Sequence, residues 1–138
     1  MKIVTRSEAE KFTSPYIGKT VSRVWSGAGS SVFLEVGDLF ESKGELTITM
    51  EWSWRVENTS NILYGTFSER AVFEKGLKEL HGLSLEDISF HSRLPEVVVK
   101  LSNNIWVSSF STVEGDPEWA LITNSKTLHA KNGELCFE

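Results

Sequence analysis

The chain has 138 residues and a formal net charge of −5, with 40% hydrophobic and 24% charged residues, which is typical of one globular domain. The acidic balance argues against a nucleic-acid partner, because phosphate binding needs clustered Lys and Arg. The single cysteine, Cys136, excludes a disulfide framework and a cysteine-based zinc cluster. The sequence has neither a leader-like apolar run at its start nor a membrane-length apolar stretch, so a cytoplasmic location is expected.

The first predicted elements are a short helix and two strands. A capping-box spacing, Ser7 followed by Glu10, predicts a helix over residues 7–12 that ends before Pro15. Strands are predicted over residues 20–25 and 32–36. The Ser- and Gly-rich residues 26–31 between them predict a turn.

Residues 46–56 alternate between apolar and polar side chains with a period of two, which predicts one long, half-buried strand. At about 3.3 Å per residue it would be roughly 36 Å long and would bury Trp52 and Trp54 on one face. The other face would expose Glu51 and Arg55.

The second half begins with a predicted helix over residues 68–80, where apolar residues recur at helical spacing and Gly82 follows the end. The predicted strands are 62–67 before this helix and then 85–90, 97–101, 105–110 and 119–123. A turn at Asn103 and Asn104 would place Leu101 opposite Trp106.

The strongest hairpin signal is Asn132-Gly133 between residues 127–131 and 134–137. It predicts that His129 faces Cys136.

These elements predict a mainly β fold, α+β by strict count, in which antiparallel meander sheets form a barrel or a two-layer sandwich with one or two short helices. The whole chain, 1–138, is expected to be one domain. Residues 18–24 resemble 82–88, residues 32–36 match 97–101, and residues 54–58 match 128–132. An internal duplication with repeats 7–67 and 68–138 accounts for these matches, as does chance convergence of β patterns. A true repeat predicts two similar sheets related by a pseudo-two-fold axis.

Three carboxylates at alternate positions, Glu114, Asp116 and Glu118, form the most distinctive motif. Oxygen ligands in a loop rich in Gly and Pro can hold a hard cation, although the spacing differs from that of an EF-hand. The alternative is a solvent-exposed turn that leads Trp119 into the core.

Two other groups are candidate binding residues. Trp106 and Trp119 could line a pocket or an interface, as Trp often does, or could belong to the core. On the long strand, Glu51 and Arg55 lie four residues apart on a polar face that is either solvated or protein-binding. Five acidic residues in this half suggest a surface for a basic partner: Glu35, Glu41, Glu45, Glu51 and Glu57.

No catalytic constellation is evident in the sequence. The three histidines lack metal-ligand spacing, and His129 with Cys136 would need a cleft and an orienting third group to act as a nucleophile pair. There is neither a serine elbow nor a glycine loop for phosphate. We therefore expect no enzyme activity, no metal ligand set and no cofactor.

The strand patterns G-x-x-V-x-x-V and V-F-L-E-V-G, the Trp-Arg pair of the long strand, and the segments L-S-N-N-I-W, E-G-D-P-E-W-A-L and K-N-G-E-L resemble those of small bacterial proteins of unknown function. The resemblance covers residues 18–135. It implies no active site, and some such acidic proteins are immunity partners of secreted toxins.

Together these features favour a non-enzymatic cytosolic binding protein of immunity or adaptor type. It would be a monomer or homodimer and would engage a basic protein through an acidic surface. The alternative is a β-barrel that binds a small molecule or a cation, with Trp side chains and the loop from Glu114 to Glu118 at its mouth.

Overall fold

A computed structural model describes residues 1–27 and 29–138 of the chain. These residues form twelve strands in two antiparallel sheets. In chain order the strands are β1 (Lys2–Ile3), β2 (Val21–Ser26), β3 (Val32–Val36), β4 (Leu46–Met50), β5 (Trp54–Glu57), β6 (Ile62–Gly65), β7 (Leu85–His91), β8 (Glu96–Leu101), β9 (Ile105–Ser109), β10 (Trp119–Ile122), β11 (Thr127–Lys131) and β12 (Glu134–Phe137). The seven-stranded sheet has the order β1-β12-β11-β10-β4-β3-β2, and the five-stranded sheet has the order β6-β5-β9-β8-β7. The sheets are not closed into a barrel, so the sandwich alternative is confirmed.

Two short helices accompany the sheets, α1 (Arg6–Thr13) and α2 (Arg70–Glu79). The capping box of α1 lies two residues earlier than predicted. The Thr5 hydroxyl accepts from Glu8 N, and the Glu8 carboxylate accepts from Thr5 N. Among the described residues, neither helix has the length and apolar character needed to cross a membrane.

The predicted long strand is two strands in different sheets. Leu46–Met50 lies between β3 and β10 and is buried on both faces, whereas Trp54–Glu57 lies between β6 and β9. The chain crosses from one sheet to the other at residues 51–53. This crossing leaves Trp52 48% exposed while Trp54 is buried, so the prediction that both rings share a buried face is wrong for Trp52.

A reciprocal set of backbone hydrogen bonds joins the starts of β2 and β7. Gly18 N donates to Leu85 O over 2.7 Å, and Gly82 N donates to Val21 O over 2.8 Å. Inside this pair, Val21 N donates to the carbonyl of residue 83 and Leu85 N to that of residue 19, both over 2.8 Å. Exchanging the two segments converts each bond into its counterpart, which is the local signature of a two-fold relation.

The strand order extends this relation to most of the sandwich. In one sheet β2-β3-β4 is followed by β10-β11, and in the other β7-β8-β9 is followed by β5-β6. Trp119 pairs with Met50 and Trp54 pairs with Ser109, so these two tryptophans occupy corresponding positions. In the structure, Trp54 therefore corresponds to Trp119. The match of residues 54–58 with 128–132 in the sequence had instead aligned Trp54 with Leu128. The duplication itself stays a prediction.

Trp54 of β5 and Trp119 of β10 are anchored in the same way in the core between the sheets. The indole N–H of Trp54 donates to Ser30 O over 2.6 Å, and that of Trp119 donates to Pro95 O over 2.9 Å. The Trp54 ring packs edge-on against Phe73 of α2, with 5.8 Å between ring centroids. Each crossover between the sheets therefore ends in a fixed, buried aromatic side chain.

The turns confirm part of the predicted pairing. The last hairpin has the predicted register, with His129 opposite Cys136, and Asn132 and Gly133 both have positive φ. In the β8–β9 hairpin, Leu101 pairs with Ile105, and Trp106 pairs with Lys100 instead of Leu101. The predicted turn at 26–31 contains residue 28, which lies outside the described residues.

Candidate functional site

The two tryptophans predicted to line a site lie in different places. Trp119 is in the core, where its ring packs 5.6 Å from Phe90. Trp106 is half-buried on the five-stranded sheet, and the Lys100 ammonium lies 5.6 Å from its ring centroid. The structure therefore does not bring Trp106 and Trp119 together at a common mouth.

The three carboxylates of residues 114–118 also diverge. Asp116 Oδ1 accepts from Asn132 N over 2.8 Å and so anchors the loop to the turn between β11 and β12. Glu114 is exposed, and the Glu118 backbone N donates to Ser111 Oγ over 3.3 Å. Asp116 therefore has a structural role, because it anchors the turn between β11 and β12. The carboxylates of Glu114, Asp116 and Glu118 do not converge on a common cation position.

Glu118 instead lies beside Glu51, another residue singled out by the sequence. Glu51 N donates to Glu118 O over 3.0 Å, which joins the two crossovers between the sheets. A hydrogen bond between the side chains raises the pKa of the Glu51 carboxyl, and partial burial and the Glu118 charge raise it further. Glu51 and Glu118 together concentrate negative charge where the two crossovers between the sheets meet.

Arg55 is not on a common strand face with Glu51, because the crossing at 51–53 separates them. Arg55 Nε donates to Glu57 Oε2 over 2.7 Å on the outer face of the five-stranded sheet. The guanidinium is therefore paired within its own strand, and the predicted polar face from Glu51 to Arg55 is wrong.

The predicted acidic surface is dispersed in the same way. Glu35 is fully buried, where its carboxylate accepts from Trp25 Nε1 over 2.8 Å, from Gly44 N over 3.0 Å and from the Thr47 hydroxyl. Glu45 accepts from Asp38 N over 2.8 Å, and that bond is the main reason that the pKa of its carboxyl is lowered. Both carboxylates hold the loop of residues 37–45, and of the two only Glu45 is exposed.

That loop also borders a polar cavity of about 670 Å³, together with Tyr16 and residues 122–124. Gly44 and Thr47 line it, but both of their donors are used by Glu35. A buried carboxylate that accepts three hydrogen bonds from protein donors has a structural role in this loop. The polar cavity therefore offers no free acid or base at Glu35.

A smaller, apolar cavity of about 340 Å³ lies at one end of strands β5 and β6, and β6 is an edge strand of the five-stranded sheet. We call it the end cavity. Its lining includes Trp54, Arg55, Ile62, Thr66, Phe67 and Phe110. Phe67 is 88% exposed and Phe110 is 63% exposed, which is unusual for side chains of this size.

Hydrogen bonds fix the loops that form the end cavity. Phe110 N donates to Ser53 O over 2.9 Å, and the hydroxyls of Ser53 and Thr112 lie 2.9 Å apart. On the other side, Trp54 N donates to Thr66 Oγ1 over 2.8 Å. These bonds give the end cavity a defined shape before any partner binds.

The buried carboxylate of Glu96, on β8, also fixes the start of the long crossover at 110–118. Glu96 accepts from Ser109 Oγ over 2.6 Å and from Ser111 N over 3.0 Å. Because Ser111 in turn accepts from Glu118 N, the two ends of the crossover from Phe110 to Glu118 are joined to each other and tied to the sandwich through Glu96. The end cavity and the Glu51–Glu118 pair consequently belong to one connected set of loops.

The sequence missed a third side chain near the His129–Cys136 pair. Glu138 Oε1 lies 3.3 Å from His129 Nε2, and Cys136 Sγ lies 3.5 Å from the same nitrogen. In a nucleophile–base–orienter relay the two partners contact different ring nitrogens. This arrangement is therefore not a cysteine-protease type of triad.

No protein-family model, no curated protein and no solved structure matches the chain.

Proposed function

We propose that this protein is a non-enzymatic binding protein that receives a basic segment with apolar side chains from a protein partner at the end cavity. The observation that carries the proposal is the pair of exposed rings, Phe67 and Phe110, beside a preformed apolar cavity. Large apolar side chains that cluster at a surface mark interaction sites, and buried aromatic anchors supply most of the binding energy at interfaces.

The charge next to the end cavity supports a basic partner. Glu51 lies on the same crossover as Ser53, and Glu118 lies on the same crossover as Phe110 and Thr112, three residues that line the end cavity. The formal net charge of −5 acts in the same direction over longer distances. A lysine or arginine of the partner would pair with Glu51 and Glu118. An apolar side chain next to it in the partner would enter the end cavity.

Immunity or adaptor roles in the cytoplasm, as a monomer or homodimer, are consistent with this proposal. Such proteins act by occupying a partner's surface and need no catalytic residue of their own. A second candidate function, binding of a small molecule, is favoured by the cavity volume of about 340 Å³, which lies at the lower end of ligand-pocket sizes.

The test compares two variants that remove comparably exposed rings. The partner is isolated by affinity capture from the source cells, and its Kd is then measured with purified wild-type protein and with each variant. Phe67→Ser should weaken binding roughly 10- to 100-fold, as expected for an interface anchor. Phe40→Ser is the matched control, because Phe40 is 81% exposed on the loop of residues 37–45.

Salt dependence tests the charge component separately. The association rate should fall steeply as ionic strength rises, because the attraction is between exposed charges. Equal loss of affinity in both phenylalanine variants would reject the end cavity as the binding site. An association rate that ignores salt would reject the basic partner.

A further inference from the structure

The last hairpin places three metal-ligand side chains on one face of the seven-stranded sheet. His129 of β11 lies directly opposite Cys136 of β12, and Glu138 follows two residues later on the same face. Their ligand atoms, His129 Nε2, Cys136 Sγ and Glu138 Oε1, all lie within 4.8 Å of one another.

Two of the three distances between these atoms match the edges of a zinc coordination tetrahedron, and the sulfur and the carboxylate lie within 4.8 Å of each other. Zinc lies about 2.3 Å from a thiolate, about 2.0 Å from an imidazole nitrogen and about 2.1 Å from a carboxylate oxygen, so the ligands of one ion are roughly 3.3 to 3.6 Å apart. The observed separations are 3.3 Å for nitrogen to oxygen and 3.5 Å for sulfur to nitrogen. We propose that His129, Cys136 and Glu138 bind a zinc ion.

Hydrogen bonding alone accounts less well for this cluster. One ring nitrogen, His129 Nε2, faces both the sulfur and the carboxylate oxygen. When it carries a proton it can donate to Glu138 but cannot accept from the thiol, and without a proton the reverse holds. A cation at the centre satisfies the lone pairs of all three atoms at once.

The backbone holds the three ligands in place without a metal. Glu138 N donates to Thr127 O over 2.9 Å, and Thr127 N donates to Glu138 O over 3.3 Å, which extends the ladder beyond β12. At the other end of the hairpin, Asp116 accepts from Asn132 N and fixes the turn. Binding therefore needs little reorganisation of the chain.

The surroundings leave one side of the site open. Cys136 is buried, whereas Glu138 is exposed and the His129 side chain is 23% exposed. Three protein ligands with a solvent-facing fourth position are typical of zinc sites that retain a water molecule or take an external ligand. The ion would join Glu138 to strand β11 through His129.

The test uses the full chain without an affinity tag and titrates it with Co²⁺, which substitutes for zinc and is visible by absorption. One equivalent should produce a thiolate-to-cobalt charge-transfer band together with tetrahedral d–d bands, and one equivalent of Zn²⁺ should abolish both. Cys136→Ser should remove the charge-transfer band. His129→Gln and Glu138→Gln should each weaken Co²⁺ binding at least tenfold, a loss of the size seen when a zinc site loses a supporting group.

One control variant and the choice of exposed ligands keep the result interpretable. His91→Gln removes an exposed imidazole on β7 and should leave the Co²⁺ titration unchanged. The His129 and Glu138 variants change partly exposed side chains, so they test the site even if Cys136→Ser proves unstable. Absence of a charge-transfer band in the wild-type protein, or a band that survives both His129→Gln and Glu138→Gln, would overturn the proposal.

Discussion

The two crossovers between the sheets differ in length but end in the same way. Residues 51–53 connect β4 to β5, and residues 110–118 connect β9 to β10. Both lead to a buried tryptophan, Trp54 or Trp119, whose indole N–H donates to a backbone carbonyl. The core positions are therefore matched, and the halves differ in what the connecting loop adds at the surface.

The candidate sites lie where the halves differ. The longer crossover supplies Phe110 to the end cavity and Glu118 to the carboxylate pair. The second half also continues from β11 into β12, which carries the cysteine of the proposed zinc site, whereas the first half continues from β6 through a short turn into α2. Paired strands maintain the fold, and unmatched segments are free to carry function.

The largest expected effect tests the equivalence of the two crossovers. Trp54→Ala and Trp119→Ala should each lower the free energy of unfolding by about 3–5 kcal/mol, because each removes a large buried ring. Urea unfolding followed by far-ultraviolet circular dichroism measures both. Trp52→Ala is the control in the short crossover, and its cost should stay within about 0.5–1 kcal/mol because this ring is half exposed.

The two crossovers would not be equivalent if Trp119→Ala lowered the free energy of unfolding by less than half as much as Trp54→Ala. It would mean that the longer crossover can collapse into the space of its missing ring, whereas the short crossover cannot.

A smaller effect concerns the carboxylate pair that bridges the crossovers. The raised pKa of Glu51 means that the folded chain retains a proton that the unfolded chain releases. This contribution to stability is present below the ordinary carboxyl pKa of 4.5 and is lost as pH rises through the raised value. Glu51→Gln keeps a donor toward Glu118 and removes the repulsion, so it should stabilise the protein by at most about 0.5 kcal/mol at neutral pH.

That gain should disappear when urea unfolding is repeated below pH 4.5, where the wild-type carboxyl is already protonated. Glu114→Gln provides a control at an exposed carboxylate on the crossover that carries Glu118. A pH-independent difference between Glu51→Gln and wild type would show that the two side chains do not share a proton.

Much of the fold is predictable because its signals are local. The register of the last hairpin follows from Asn132-Gly133, a pair that accepts positive φ in a two-residue turn. The break in the long strand is not predictable in this way. A period of two describes which side chains alternate, and it holds across residues 51–53 although the chain changes sheets there. Only the pairing partners of β4 and β5 reveal the crossing.

The candidate sites depend more on distant contacts. Glu51, Glu118 and Arg55 were identified from sequence, but which of them meet depends on the pairing of the two crossovers. The exposure of Phe67 and Phe110 has no local signal, since both extend apolar strand patterns. The His129–Cys136 pairing was predicted, and Glu138, two residues beyond Cys136 on the same strand face, was the available signal for a third ligand.

The most direct test of the binding proposal is site-specific photo-crosslinking in the source cells. A photoreactive phenylalanine analogue is placed at position 67, beside the end cavity, and separately at position 40, which is comparably exposed on the loop of residues 37–45. We predict a crosslinked protein of defined mass from position 67 that is absent from position 40, with the attachment mapped to a basic segment of the partner. Crosslinks from position 40 alone, or equal crosslinking from both positions, would contradict the assignment of the end cavity as the binding site.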